Sequence, residues 1–186
     1  MAEERCRPRV KEGKEITMAM SEPKLDERAE LHYAAIRTQG TMQDLMKLPH
    51  RIVEIFGWLA EKGEMPLGAP FMRYLVIDGD DRFDVEVGVP VENAIAAEGD
   101  ITPGVLPAGQ YAVMVYTGPF SGLHEATKTL LAWGERTGVR WETSDGGKAW
   151  GANVETYVTD PRAEPDPQKW QTELAILVAG GAAVSS

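Results

Sequence analysis

The chain is poor in the residues that most reactive sites depend on. It has one cysteine, Cys6, and three histidines. A lone cysteine closes no internal disulfide, so the fold has to be held by its core, and a reducing, cytoplasmic setting is expected. His32, His50 and His124 are widely and irregularly spaced, and Cys6 lies in a charged tail. Together they form no metal-ligand pattern, and no metal is expected. No apolar stretch reaches the roughly 18 residues of a membrane span, and no apolar run follows the charged N-terminus as in a signal peptide. Glycine-rich phosphate loops are missing too: Gly146-Gly147 after Asp145 reads as a turn. No serine sits in a nucleophile elbow. Serine, cysteine and metal hydrolysis all lack support, and no cofactor is expected.

Positive charge is also scarce. The chain carries 29 acidic against 19 basic side chains, a net charge of -10. An acidic surface is repelled by phosphate backbones, and no cluster of Lys and Arg offsets it, so direct nucleic-acid binding is not expected. The acidity keeps the chain soluble and leaves carboxylates available to line a site for cations.

What remains is an ordinary globular composition. A hydrophobic share of 43% over 186 residues is enough to build one core. Residues 1–23 are densely charged without apolar periodicity and are expected to be a flexible extension. Residues 180–186 are small and polar and are expected to be loose. The domain between them, 24–179, repeats itself, with one copy at about 27–91 and the other at about 106–178. Each copy opens with a strand, near 31–40 and 110–118. A helical pattern follows. Ile52, Ile55, Phe56 and Leu59 share one face, after Pro49 in a first turn and before a capping Gly63. In the second copy Leu123, Ala126, Thr127, Leu130, Leu131 and Gly134 recur at the same period. There Ser121 is the expected N-cap and Gly138 the C-cap. Trp58 and Trp133 each precede their capping glycine by five residues. A strand pair closes each copy, at 71–78 with 82–91 and at 153–160 with 170–178. Residues 92–106 read as a connector. The expected fold class is therefore α+β: duplicated strand–helix–strand–strand units, with an antiparallel sheet carrying helices on one face and a concave ligand groove on the other.

Alternation selects the residues that face the groove. Phe83, Val85, Val87, Val89 and Val91 belong under a helix, which turns Asp84, Glu86, Gly88 and Pro90 outward. On the last strand Trp170, Thr172, Leu174, Ile176 and Val178 are core-facing, and Gln171, Glu173, Ala175 and Leu177 are opposite. Glu86 and Glu173 are thus expected to point into the groove as pseudo-twofold mates, with Gly88 and Ala175 leaving room for a ligand. Tyr157 and Glu155 share one face of their strand, and Tyr157 is expected near Glu173. Tyr116, Tyr74, Trp141 and Trp150 are further candidates to line a ligand, since aromatic faces stack on planar groups and attract cations.

Several runs, taken in order, carry a family resemblance: Leu106-Pro107-Ala108-Gly109-Gln110-Tyr111-Ala112, Gly118-Pro119-Phe120, the Trp133 helix ending at Gly138, Glu155-Thr156-Tyr157-Val158-Thr159-Asp160-Pro161 and Trp170-Gln171-Thr172-Glu173-Leu174. Over roughly residues 27–178 the chain resembles the GyrI-like small-molecule-binding family, the effector-binding domain of AraC- and MerR-type regulators. The resemblance implies a two-repeat fold with a central cleft for drugs or metabolites and a pocket glutamate for cationic ligands, matched to Glu173. It also implies two alternatives. One is a hydrolase that opens the cyclopropane of DNA-alkylating natural products, with Glu173 and Tyr157 as the catalytic pair. The other is a protein-binding modulator such as a gyrase inhibitor-like protein. Residues 1–26 are too short for the regulators' helix-turn-helix unit, so a stand-alone ligand-binding domain, monomeric or homodimeric, is expected.

Overall fold

The computed structural model describes residues 19–45, 47–79 and 81–180. Of the two expected loose ends, 1–23 and 180–186, residues 1–18 and 181–186 lie outside the described residues. The first unit consists of β1 (Ala19–Met20), β2 (Lys24–Arg28), β3 (Leu31–Gly40), α1 (Met42–Leu45), α2 (Leu48–Lys62), β4 (Phe71–Asp78) and β5 (Arg82–Pro90). The second consists of β6 (Thr102–Leu106), β7 (Gly109–Thr117), α3 (Leu123–Thr137), β8 (Thr143–Ser144), β9 (Ala149–Trp150), β10 (Asn153–Tyr157) and β11 (Gln171–Leu177). Among the described residues the strands form one curled, antiparallel sheet in the order β1-β7-β11-β10-β4-β5-β3-β6. In it β2 also pairs with β7, and the small β8–β9 hairpin hangs from β4.

That order is the duplication made visible. Read outward from the centre, β4-β5-β3 on one side mirrors β10-β11-β7 on the other. Each unit lays its long helix on one surface: α2 rests on β3 and β5, and α3 on β7. The helix stops are set locally. Gly63 and Gly138 adopt φ of 72° and 77°, the left-handed region where a side chain would be strained, and end their helices as expected. The start of α3 differs from expectation. Ser121 belongs to a single 3-10 turn, Phe120–Gly122, and Gly122 is the N-cap without a side-chain bond.

The residues pack into three buried clusters. Ile36, Val85, Val87 and Val89 of the sheet lie under Ile55 and Leu59 of α2, and Met114, Tyr116, Leu174 and Ile176 lie under Ala126 and Leu130 of α3. Tyr33, Phe71, Tyr111, Val113, Val154 and Ala175 fill the helix-free, concave surface. The alternation along β5 and β11 therefore sorts side chains to the two surfaces as the sequence predicts. Each fully buried aliphatic side chain contributes about 1.5–3 kcal/mol, so the two helices are fastened mainly by these stripes. No helix among the described residues is long and apolar enough to cross a membrane.

Two parts of the chain do more than their composition suggests. Residues 19–28, including part of the expected flexible extension, extend the sheet along β7: Ala19 and Met20 pair with Thr117 and Tyr116, and Lys24–Arg28 with residues 109–113. The expected connector contributes β6, which pairs with β3 from Leu31↔Leu106 to Ala35↔Thr102. Both are edge strands whose backbone hydrogen bonds compensate for a weak apolar pattern.

Gly134 is the tightest helical position. A Cβ there would overlap the Trp141 indole. Gly→Ala inside a helix ordinarily stabilises by up to about 1 kcal/mol, whereas overpacking costs about 1–3 kcal/mol. Gly134→Ala is thus expected to destabilise by about 1 kcal/mol net, measured by urea denaturation; a gain in stability would show that Trp141 yields freely.

Candidate functional site

The two central strands, β4 and β10, lie between the strands that α2 and α3 cover, and the strip of sheet left between the two helices is called the furrow. Met72 and Tyr74 face it from β4, and Glu155 and Tyr157 from β10, with Glu155 paired directly across from Met72. Tyr157 packs against both helix-side clusters and so bridges them. At its rim the Phe120 ring, 38% exposed, meets Tyr157 edge-on at 5.4 Å and Trp170 at 4.7 Å. The indole N–H of Trp170 is spent on the Glu164 carbonyl at 2.8 Å.

Glu155 is the anomaly of this surface. It is only 8% exposed, and among the described residues no Lys, Arg or His forms an ion pair with it. Its polar neighbours are tyrosines: the Tyr157 hydroxyl donates to Oε2 over a long 3.4 Å, and Tyr74 also draws on the carboxylate. Burial pushes its pKa up to about 7, against the smaller downward pull of the two hydroxyls. Tyr74 and Tyr157 are held well above the usual phenol value, first by burial and then by the charge of Glu155. Further polar capacity is unused nearby. Thr172, across the ladder from Tyr157, is fully buried, and its hydroxyl has no partner among the described residues. The indole N–H of the partly buried Trp150, in the α3 cluster, also has no partner among the described residues. A buried carboxyl near neutrality, flanked by Tyr74 and Tyr157, can hold a cation or exchange a proton.

The concave surface is organised differently. Glu173 is already paired: its Oε1 lies 2.9 Å from Arg28 Nη1. Glu86 accepts from the Tyr33 hydroxyl at 2.5 Å, and that hydroxyl in turn accepts from Arg73 at 2.7 Å. Beside Arg28 and Glu173 is a cavity of about 260 Å³.

The structure therefore divides the sequence-predicted residues between two surfaces. Glu155, Tyr157 and Tyr74 come together in the furrow. Tyr116, Trp141 and Trp150 lie on the same side in the α3 cluster, with the Tyr116 hydroxyl tied to the Pro119 carbonyl at 2.8 Å. Glu86 and Glu173 share the concave surface but do not meet. They sit on β5 and β11, three strand steps apart, roughly 14 Å at about 4.8 Å per step. The expected meeting of Tyr157 with Glu173 is corrected by the register. Thr156 stands opposite Glu173 and Tyr157 opposite Thr172, so tyrosine and glutamate face opposite ways. The room expected over Gly88 is filled by the rings of Phe71 and Tyr33, which a Cβ there would overlap. Arg28, Phe120 and Thr156 escaped notice as site-forming residues. Arg28 sits in a charged segment with no pattern, whereas Phe120 lay in view within Gly118-Pro119-Phe120.

A duplicated sheet with a furrow between two helices and one buried carboxyl defines a small-molecule-binding α+β domain. The chain belongs to the GyrI-like small molecule binding domain family, whose model matches residues 21–179. Among solved structures it is similar to the EcmrR C-terminal domain, at 23% identity and a TM-score of 0.65, with 84% of this chain and 96% of that one covered. It spans 57% of the EcmrR chain seen in the cryo-EM structure of its DNA complex. It is also similar to SAV2435 bound to tetraphenylphosphonium, at 14% identity, TM-score 0.57, and 86% and 95% coverage. A hydrolase from Listeria innocua follows at 17% identity, TM-score 0.54, and 84% and 91% coverage. No curated protein matches the chain. The domain binds a small molecule.

Proposed function

We propose that the chain binds a hydrophobic, aromatic monocation in the furrow, with Glu155 as its counter-ion and Tyr74, Tyr157 and Phe120 as aromatic walls, in a sensing or sequestering role. The observation that carries this reading is a carboxyl that is buried yet lacks a cationic partner. Isolating such a group is costly, and a ligand cation is the missing half of the pair. The solved complex of SAV2435 with tetraphenylphosphonium supports the choice of ligand class. Glu173, the carboxylate first expected in this role, is already neutralised by Arg28 and exerts little net pull on a cation. The domain acts in the cytoplasm, as a monomer or homodimer, and touches no nucleic acid itself.

The test is calorimetric titration with tetraphenylphosphonium and with neutral triphenylphosphine oxide. Glu155→Gln is expected to weaken the cation at least about tenfold and to leave the neutral compound within a few-fold. Equal losses for both would overturn the electrostatic reading.

The same carboxyl favours a second reading. A pKa of about 7 suits a general base at physiological pH. Here Glu155 would take a proton from water as the oxygen adds to a carbon of a strained, electrophilic cyclopropane held against Tyr157; the ring C–C bond breaks, its electron pair passes to the conjugated acceptor of the ligand, and Glu155 returns the proton there. Mass spectrometry after overnight incubation separates the two readings. A binder returns its ligand intact; a hydrolase returns it heavier by one water, and Glu155→Gln stops the gain.

A further inference from the structure

The cavity on the concave surface has its own chemistry. At about 260 Å³ it falls just below the roughly 300–1,000 Å³ of sites for drug-sized ligands, so it suits a small metabolite. Its walls are largely apolar, with Leu31, Phe71, Leu106, Val154 and Ala175 among them. Arg28 and Glu173 make its polar end, their side chains only 31% and 26% exposed and 2.9 Å apart. Thr156, across the ladder from Glu173, lines the same space. The guanidinium is steadied from two other directions, by Asp26 at 3.4 Å and by the Tyr111 ring with its centroid at 5.7 Å.

This pair is not saturated. A guanidinium has five donors and a carboxylate about four acceptor sites; the contacts to Glu173 and Asp26 use two donors, and Arg28 uses one acceptor of Glu173. A simple anion or cation placed beside the pair would meet one attractive and one repulsive neighbour. A zwitterion laid antiparallel to it meets two attractive ones, and the resident ion pair stays intact.

We infer that this cavity is a second ligand site, taking a free α-amino acid with an apolar side chain. Its carboxylate sits on Arg28, its ammonium on Glu173 and Thr156, and its side chain against Phe71, Val154 and Ala175. The inference does not rest on the reading of Glu155, which faces the opposite surface of the sheet.

The test titrates the whole chain with L-leucine and L-phenylalanine, and with 3-phenylpropanoate and phenethylamine as probes that carry one charge each, followed by two-dimensional NMR of the backbone amides. Saturable binding of an amino acid is expected, with both single-charge probes at least about tenfold weaker. Arg28→Met and Glu173→Gln should each cost about tenfold or more, and Glu155→Gln less than about twofold. Thr156→Val leaves the ion pair in place and should weaken binding about threefold, which keeps the test valid if either charge variant folds poorly. The proposal is overturned if neither amino acid saturates by about 10 mM, a Kd too weak for a built site. It is equally overturned if a single-charge probe binds as tightly, if Thr156→Val changes nothing, or if Glu155→Gln abolishes binding, which would put the amino acid in the furrow.

Discussion

The affinity of this protein for tetraphenylphosphonium should fall about fiftyfold between pH 7 and pH 5, and Glu155→Gln should abolish that dependence. The reason is linkage. A permanent monocation binds the ionised carboxylate, and Glu155 titrates near pH 7 in the empty protein because burial disfavours its charge. Above that value the counter-ion is present and affinity is flat. Below it, each unit of pH makes the ionised form about tenfold rarer, and the ligand has to expel the proton before it can bind. Because half the carboxyls are already protonated at pH 7, the loss from pH 7 to pH 5 should be about fiftyfold. It levels off where the carboxyl of the complex, its pKa lowered by the bound cation, begins to protonate. Arg28 and Glu173 are already paired with each other without ligand. A flat profile in the unmodified protein would mean that the cation is not seated on Glu155.

The second large effect is on stability, with the opposite pH trend. The pKa of Glu155 is raised on folding, from an ordinary 4.5 to about 7. Between those values the folded protein holds a proton that the unfolded chain has lost, so this group makes stability decrease as pH rises. Its penalty is absent below about pH 4.5, grows through the interval and is complete above pH 7, on the order of 3 kcal/mol. Glu155→Gln has no charge to bury and keeps hydrogen-bonding capacity toward Tyr74 and Tyr157. Its melting temperature should match that of the unmodified protein near pH 4.5 and exceed it by several degrees, up to about 10 °C, at pH 8. Comparing the two proteins at each pH cancels every other titrating group. No gap at pH 8 would show that Glu155 is not desolvated.

Much of the fold was legible because burial leaves a period in the sequence. The Phe83–Val91 alternation, the Ile52–Leu59 stripe and the two capping glycines each report a local rule, and each element is where its rule places it. β2 and β6 were missed because edge strands are held by backbone pairing and need no apolar alternation. For the site, alternation told which residues share a strand face but not which face lies under the helices on the short strand β10. Glu155 and Tyr157 on one side, Val154 and Thr156 on the other, are polar enough on both sides to leave the choice open; only the register against β11 and β4 decides it. The ion pair of Arg28 with Glu173 joins residues 145 positions apart through the curl of the sheet, beyond the reach of any local pattern.

The centre of the sheet also records where the two copies have parted. Under the twofold relation between β4 and β10, Glu155 falls opposite Met72. One copy thus supplies a carboxylate where its mate supplies a thioether, soft, uncharged and adaptable in shape. The furrow is symmetric in backbone and asymmetric in charge, with a single anionic seat on one side of the axis and a pliable apolar surface on the other. If the furrow is the ligand site, as proposed above, it is expected to prefer a lopsided guest, charged at one end and greasy at the other. It penalises a dication of the same bulk, whose second charge would be pressed against sulfur.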